Sequence, residues 1–225
     1  MLSRIAKWTP LWLAKWIRYL MVKLMKRMRM PDDGRPIIAA AGHITEEFLL
    51  PSSFDLFNDA QFRQAAKFDQ LPRSEHDRIF NELIVSAMIM ALFGAARAEA
   101  LIEPKDYHFW RSVHDQLIKQ FEYTLREFHV DSKNARLYRD LIKLRQDEYE
   151  RLGKNVWEIW SVEEREFQNL PAIGREIASW VNAVAIGTAD HIKRGKLKKN
   201  DQLPRILRGW LFNLNERVGK FIKRL

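Results

Sequence analysis

The sequence predicts an all-α protein, a multi-helix bundle around a buried central helix, with an N-terminal basic amphipathic helix as an appendage. Three observations carry this. Residues 83–96, LIVSAMIMALFGAA, are apolar all the way round apart from Ser86, and a helix without a polar face must be surrounded by other helices. Most of the remaining chain repeats its apolar residues at helical spacing. No stretch of useful length alternates with the period of a strand, and no internal repeat stands out.

The central helix is expected over residues 74–101. Ser74 stands in a capping position, and Asp77 supplies an acid to the first turn. Arg78, Glu82 and Arg97 bound the apolar run. At about 1.5 Å per residue, that run is too short for a bilayer's hydrocarbon core, so it reads as core.

A chain of 225 residues is one large domain, or a domain with appendages, and 47% hydrophobic residues suffice for a core. Cysteine is absent, which excludes disulfides, thiolate metal sites and a cysteine nucleophile. Charge is unevenly placed. Residues 1–30 carry eight bases and no acid, and residues 193–225 carry eleven bases against Asp201 and Glu216. The whole chain is +9, so the intervening residues carry −8. Basic ends around an acidic body point to a polyanionic partner, either nucleic acid or an anionic bilayer, with plain solubilising charge as the bland alternative. Four regions follow: the basic helix (1–30), a linker (31–53), an acidic helical body (54–194), and a basic loop with a C-terminal amphipathic helix (195–225).

In residues 1–30, Thr9 and Pro10 form a helix start. Leu13, Ile17, Leu20, Leu24 and Met28 then centre one face, while Lys15, Arg18, Lys26 and Arg29 form the opposite one. Trp12 and Trp16 lie at the apolar edge beside Lys23, where amphipathic rings and long basic stems sit at a lipid–water boundary. Lys15 and Arg18 interrupt the apolar run that a secretory signal or a transmembrane span requires. A transit peptide fits the lack of acids but not the scarcity of Ser and Thr. The remaining accounts are an interfacial helix, a helix docked on a partner, or the first helix of the bundle. The interfacial account is preferred, because a basic face opposite Trp and Leu is its signature. On it Leu13, Ile17, Leu20 and Leu24 insert, Trp12 and Trp16 mark the interface, and Lys15, Arg18, Lys23 and Lys26 meet headgroups.

Pro31, Gly34, Pro36 and Pro51 punctuate residues 31–53, which read as linker with a helical turn at 45–50. Residues 54–70 read as one helix capped by Ser53, and Leu71-Pro72 ends it. Residues 104–129 form the clearest amphipathic helix, with Trp110, Val113, Leu117, Phe121, Thr124, Leu125 and Phe128 on its apolar face. His108, Asp115, Glu122 and His129 recur every seventh residue on another face, about 10.5 Å apart along the axis, which is too far for two ligands of one ion. With Lys119 and Arg126 interleaved, they read as a solvated, ion-paired face. Asp131 and Ser132 recap the chain, and a helix runs over 133–152 to a stop at Gly153. A short aromatic stretch (156–160) and a capping box (161–164) announce another short helix. Residues 171–194 form a longer helix in which Gly174 and Gly187 allow close approach, and Gly195 ends it.

Lys193, Arg194, Lys196, Lys198 and Lys199 put five bases in seven positions, a polyanion-binding candidate or an exposed loop. Pro204 starts the last helix, whose apolar stripe includes Leu207, Leu211, Leu214, Val218 and Ile222. Burial of that stripe competes with membrane contact.

Signs of chemistry are sparse. The chain has no phosphate-binding Gly-rich loop, no nucleophile elbow and no H-E-x-x-H. No histidine has a Glu three residues before it, which removes the di-iron bundle pattern. A lone histidine such as His114 is more often structural than a haem ligand. No catalytic residue, metal or cofactor is implied. Scattered carboxylates such as Glu82 or Glu99 leave no signature, so an enzyme or cofactor carrier with its site between helices stays a third reading. The basic ends lack any zinc-finger spacing or convincing helix-turn-helix. The aromatics near the N-terminal bases lie on a continuous apolar face rather than over a groove. The expectation is therefore a non-enzymatic peripheral membrane protein, a scaffold, accessory subunit or adaptor. It would sit on the cytoplasmic face of an anionic membrane or the organellar equivalent, or on a membrane-protein complex. A helical nucleic-acid-binding protein is the alternative.

Overall fold

The computed structural model describes residues 36–98, 102–163 and 172–224, with the backbone alone over 154–163 and at 172. The N-terminal helix, the end of the expected central helix at 99–101 and Glu164 of the capping box lie outside these, whereas 156–163 continue the helix Ser132–Glu163 instead of opening a new one. The described residues form an all-α fold of packed helices without a strand.

Helix α4 (Arg73–Ala96) is the centre. Every residue from 82 to 93 on it is buried, and α2 (Leu50–Asn58), α5 (Tyr107–Glu127), α6 (Ser132–Glu163), α7 (Ala172–Lys193) and α8 (Leu203–Ile222) all pack against it. Pro72, in extended backbone, holds the cap position, so Ser74 falls inside the first turn and does not cap. At 24 residues the helix is long and apolar enough to cross a membrane, and 78% of its most apolar window is buried inside the protein. Enclosure by neighbouring helices, not shortness, makes it a core helix.

The expected linker is corrected over its described part. Helix α1 (Pro36–His43), a π-helical segment (Ile44–Leu49) and α2 run on from one another into the core. Ala41, Ile44, Thr45, Leu49 and Ser53 are buried. The prolines misled because Pro36 opens α1 and Pro51 sits in the first turn of α2, where its missing N–H costs little. The buried hydroxyls bond within their own turns: Thr45 Oγ1 donates to the Ala41 carbonyl at 2.9 Å, and Ser53 Oγ to that of Leu49 at 2.8 Å.

The single helix expected over 54–70 is also divided. Asp59 turns extended, and its carboxylate accepts from the Phe62 N–H at 2.8 Å, starting α3 (Ala60–Ala65). Lys67 adopts a left-handed φ of 59° before a short 3-10 turn (Phe68–Gln70). The turn seats Phe68 against Phe57 and Phe62, with the Arg63 guanidinium 4.5 Å from its ring centre.

Helix α5 buries Trp110, Val113, Leu117, Phe121 and Leu125 as expected. Asp131 caps α6 by accepting from the N–H groups of Lys133 and Asn134. That helix runs unbroken past Gly153, which corrects the expected stop. There the absence of a side chain brings α7 close: a Cβ on Gly153 would stand 3.6 Å from that of Ala183, and Ser179 Oγ donates to the Gly153 carbonyl at 3.3 Å. Gly195, at φ 71°, follows the end of α7, where its N–H bonds the Asp190 carbonyl.

Candidate functional site

The ten residues assigned to lipid, Trp12, Leu13, Lys15, Trp16, Ile17, Arg18, Leu20, Lys23, Leu24 and Lys26, lie outside the described residues. The five C-terminal candidates separate into two sets. Lys193 is drawn into the fold: its Nζ donates to the Ala65 carbonyl at 2.6 Å, satisfying the end of α3, and sits 3.3 Å from Asp201. Arg194, at φ 53°, pairs with Glu75 at the start of α4. Lys196, Lys198 and Lys199 are exposed in the loop before α8. Among the described residues no carboxylate pairs with these three ammonium groups.

Helix α8 settles which of its faces is available. Leu203, Leu207, Leu211, Leu214, Val218 and Ile222 are buried against the bundle, so its apolar stripe is core. Trp210 pins it further, its indole N–H 2.7 Å from Ser52 Oγ of α2. At 100° per residue, Arg205, Gly209, Phe212, Glu216 and Lys223 then centre the outward face. Phe212 is 53% exposed there, and a Cβ on Gly209 would meet nothing within 4 Å. Lys220 pairs with Glu216 at 2.6 Å. The sequence reading missed Phe212 and Arg205. The signal was present, since Phe212 falls a half-turn away from the apolar stripe.

A second concentration of polar groups joins α4, α6 and α7. Glu82, the buried carboxylate of the inner helix, is 5% exposed and accepts from both Nε and Nη2 of Arg145, at 3.2 and 2.9 Å. Arg145 Nη1 reaches Glu148 at 3.2 Å, and Glu148 lies 2.9 Å from Nε2 of His191. Deeper in, the Tyr149 hydroxyl is 3.3 Å from Thr188 Oγ1, which stands 2.6 Å from both Ser86 Oγ and the Val184 carbonyl. Burial pushes the Tyr149 phenol far up, against the weaker opposing pull of its bond to Thr188. Burial likewise raises Tyr138, to about 12, with Asp77 adding to it. Each group in the network is matched by another group of the network, and its hydroxyl end is fully enclosed. That is the arrangement of an interhelical staple.

Glu122 behaves in the same way, which corrects the solvated face expected on α5 at that one position, while His108, Asp115, Lys119, Arg126 and His129 are exposed as expected. Glu122 is 5% exposed, and its partner is Arg139 of α6, with Arg126 of its own helix farther off at 3.9 Å. The sequence shows the i,i+4 neighbour but not the helix that covers it. Among the described residues no three His, Asp or Glu side chains converge as a metal-binding group.

No protein-family model matches this chain, and neither a curated protein nor a solved structure matches it.

Proposed function

We propose that this chain is a non-enzymatic peripheral membrane protein, a scaffold, accessory subunit or adaptor that residues 1–30 hold on an anionic membrane or a membrane complex. The observation that carries the reading is the make-up of that segment: eight bases, no acid, and a Leu/Ile face edged by Trp12 and Trp16. The organisation of the body is consistent with it. Among the described residues the one helix long and apolar enough to cross a bilayer is enclosed by the bundle, and the apolar stripe of α8 faces the core. Contact with lipid then falls to the N-terminal segment and to the surface of the body.

The energies suffice. Burying each large apolar side chain is worth about 1.5–3 kcal/mol, and each base near an anionic surface adds about 1 kcal/mol before screening. Reversible attachment follows, without the permanence of a transmembrane helix. The test is the full-length chain carrying Ile17→Glu and Leu20→Glu together. We expect it to leave anionic vesicles that the unmodified chain binds, and retained binding would sink the insertion model. If the unmodified chain instead binds DNA or RNA with a steep loss of affinity in salt, and ignores vesicles, the nucleic-acid alternative replaces this one.

A further inference from the structure

We infer that the outward face of α8, together with the loop before it, is a second lipid-headgroup contact, so that the body lies against the anionic surface by the polar side of its last helix. The inference rests on the membrane reading above and adds an orientation to it. Read as sequence, α8 offers lipid its apolar stripe, but the structure commits that stripe to the core. What remains outward is basic. Lys196, Lys198 and Lys199 stand exposed at the N-terminal end of the helix, with Arg205 on its first turns and Lys223 and Arg224 at its far end. The two acids within the loop and the helix are engaged, Asp201 by Lys193 at 3.3 Å and Glu216 by Lys220 at 2.6 Å.

An exposed phenyl ring is the second observation. Phe212 lies midway along this face, 53% exposed, beside the bare backbone of Gly209. A ring among bases fits a headgroup layer, where the ring reaches the acyl boundary while the ammonium and guanidinium groups stay with the phosphates. The face spans the full helix, which at 20 residues is about 30 Å, so separate headgroups can be met along it. An anionic bilayer supplies negative charge over that length, and complementarity of charge selects it as the occupant.

The chain contains no cysteine, so Phe212→Cys places one thiol on this face for an environment-sensitive fluorophore. Leu137→Cys gives the reference, since Leu137 is 54% exposed on α6, which packs on α4, α5 and α7. Both full-length labelled proteins are mixed with vesicles of phosphatidylserine and phosphatidylcholine. We expect the label at 212 to shift to the blue and lose access to aqueous iodide, while the label at 137 keeps its access. The triple variant Lys196→Gln, Lys198→Gln, Lys199→Gln should lower the apparent vesicle affinity about a hundredfold, at roughly fivefold per base. Vesicle binding that leaves the label at 212 open to iodide, or that the triple variant does not weaken, overturns this inference and leaves the N-terminal reading standing. Absence of vesicle binding by either labelled protein overturns both. Shielding of the label at 212 by RNA or DNA and not by vesicles assigns the face to nucleic acid and removes lipid as its occupant.

Discussion

A methyl group added at Gly187 would lie 2.3 Å from Cε1 and 2.6 Å from Cδ1 of Tyr149, whose ring is fully buried. The buried ring or the helix would have to shift to admit it, so Gly187→Ala should cost about 1–3 kcal/mol. Urea denaturation would register this as a lower midpoint at unchanged slope, and an unchanged midpoint would contradict the packing described here. The sequence marks Gly187 as a point of close approach, but its meeting with Tyr149 belongs to the tertiary fold. The two phenols with raised pKa, Tyr149 buried and Tyr138 partly so, make a second prediction. Tyr138 ionises only at about 12 when folded, against 10.0 for an ordinary tyrosine, and Tyr149 is raised as well. As pH rises past the ordinary value, the unfolded chain gives up these protons and the folded chain keeps them. Their contribution to stability is therefore whole below about pH 10 and declines as pH climbs from there. Denaturant midpoints measured across that range should fall, and the Tyr149→Phe variant should show a shallower decline.

Between elements, the staple of Glu82, Arg145, Glu148 and His191 ties α4 and α7 to α6. Removing one partner of a buried pair leaves the other charge uncompensated, so Glu82→Ala should destabilise by about 3–5 kcal/mol. Replacing both Glu82 and Arg145 by apolar residues of similar size should cost much less than the two single changes added together. A double-mutant cycle tests this, and strict additivity would mean that the pair does not act as a unit. Arg78 acts at a helix end. Its guanidinium donates to the carbonyls of His191 and Ile192, at 2.9 and 3.0 Å, which are among the last of α7. We expect Arg78→Ala to cost about 1.5–3 kcal/mol, measured in the same denaturation assay. Elements were legible where a periodic stripe meets a clear stop, as in α5 and α8. They were misread where local signals have two meanings. A proline reads as a break although it also opens helices, which hid α1 and the start of α2. A glycine reads as a stop although it also permits helix contact, which ended α6 ten residues early at Gly153. Asp59 divides residues 54–70 through a capping bond that the apolar spacing alone does not reveal.

For the molecule as a whole, the apolar run at 83–96 was enough to predict a buried helix, since a helix without a polar side needs a core or a bilayer around it, and enclosure by the neighbouring helices decides for the core. The surface was less legible. A basic amphipathic helix looks the same in sequence whether its apolar stripe meets a core or a bilayer, and only the packed neighbours of Leu207, Leu211 and Leu214 decide the matter for α8. Lys193 and Arg194 likewise belong to the basic run by sequence and to the fold by contact, through Asp201 and Glu75. The remaining charge is segregated, with +8 over residues 1–30 and exposed bases at the far end of the chain, around a body of the opposite sign. The central claim is that this segregation serves attachment to an anionic bilayer. The most direct measurement is co-sedimentation of the full-length chain with phosphatidylserine-containing and pure phosphatidylcholine vesicles, at low and at moderate salt. The account predicts that the protein sediments with the anionic vesicles, less so as salt screens the bases, and stays in solution with the neutral ones. Equal recovery with both lipids, or with neither, would contradict it.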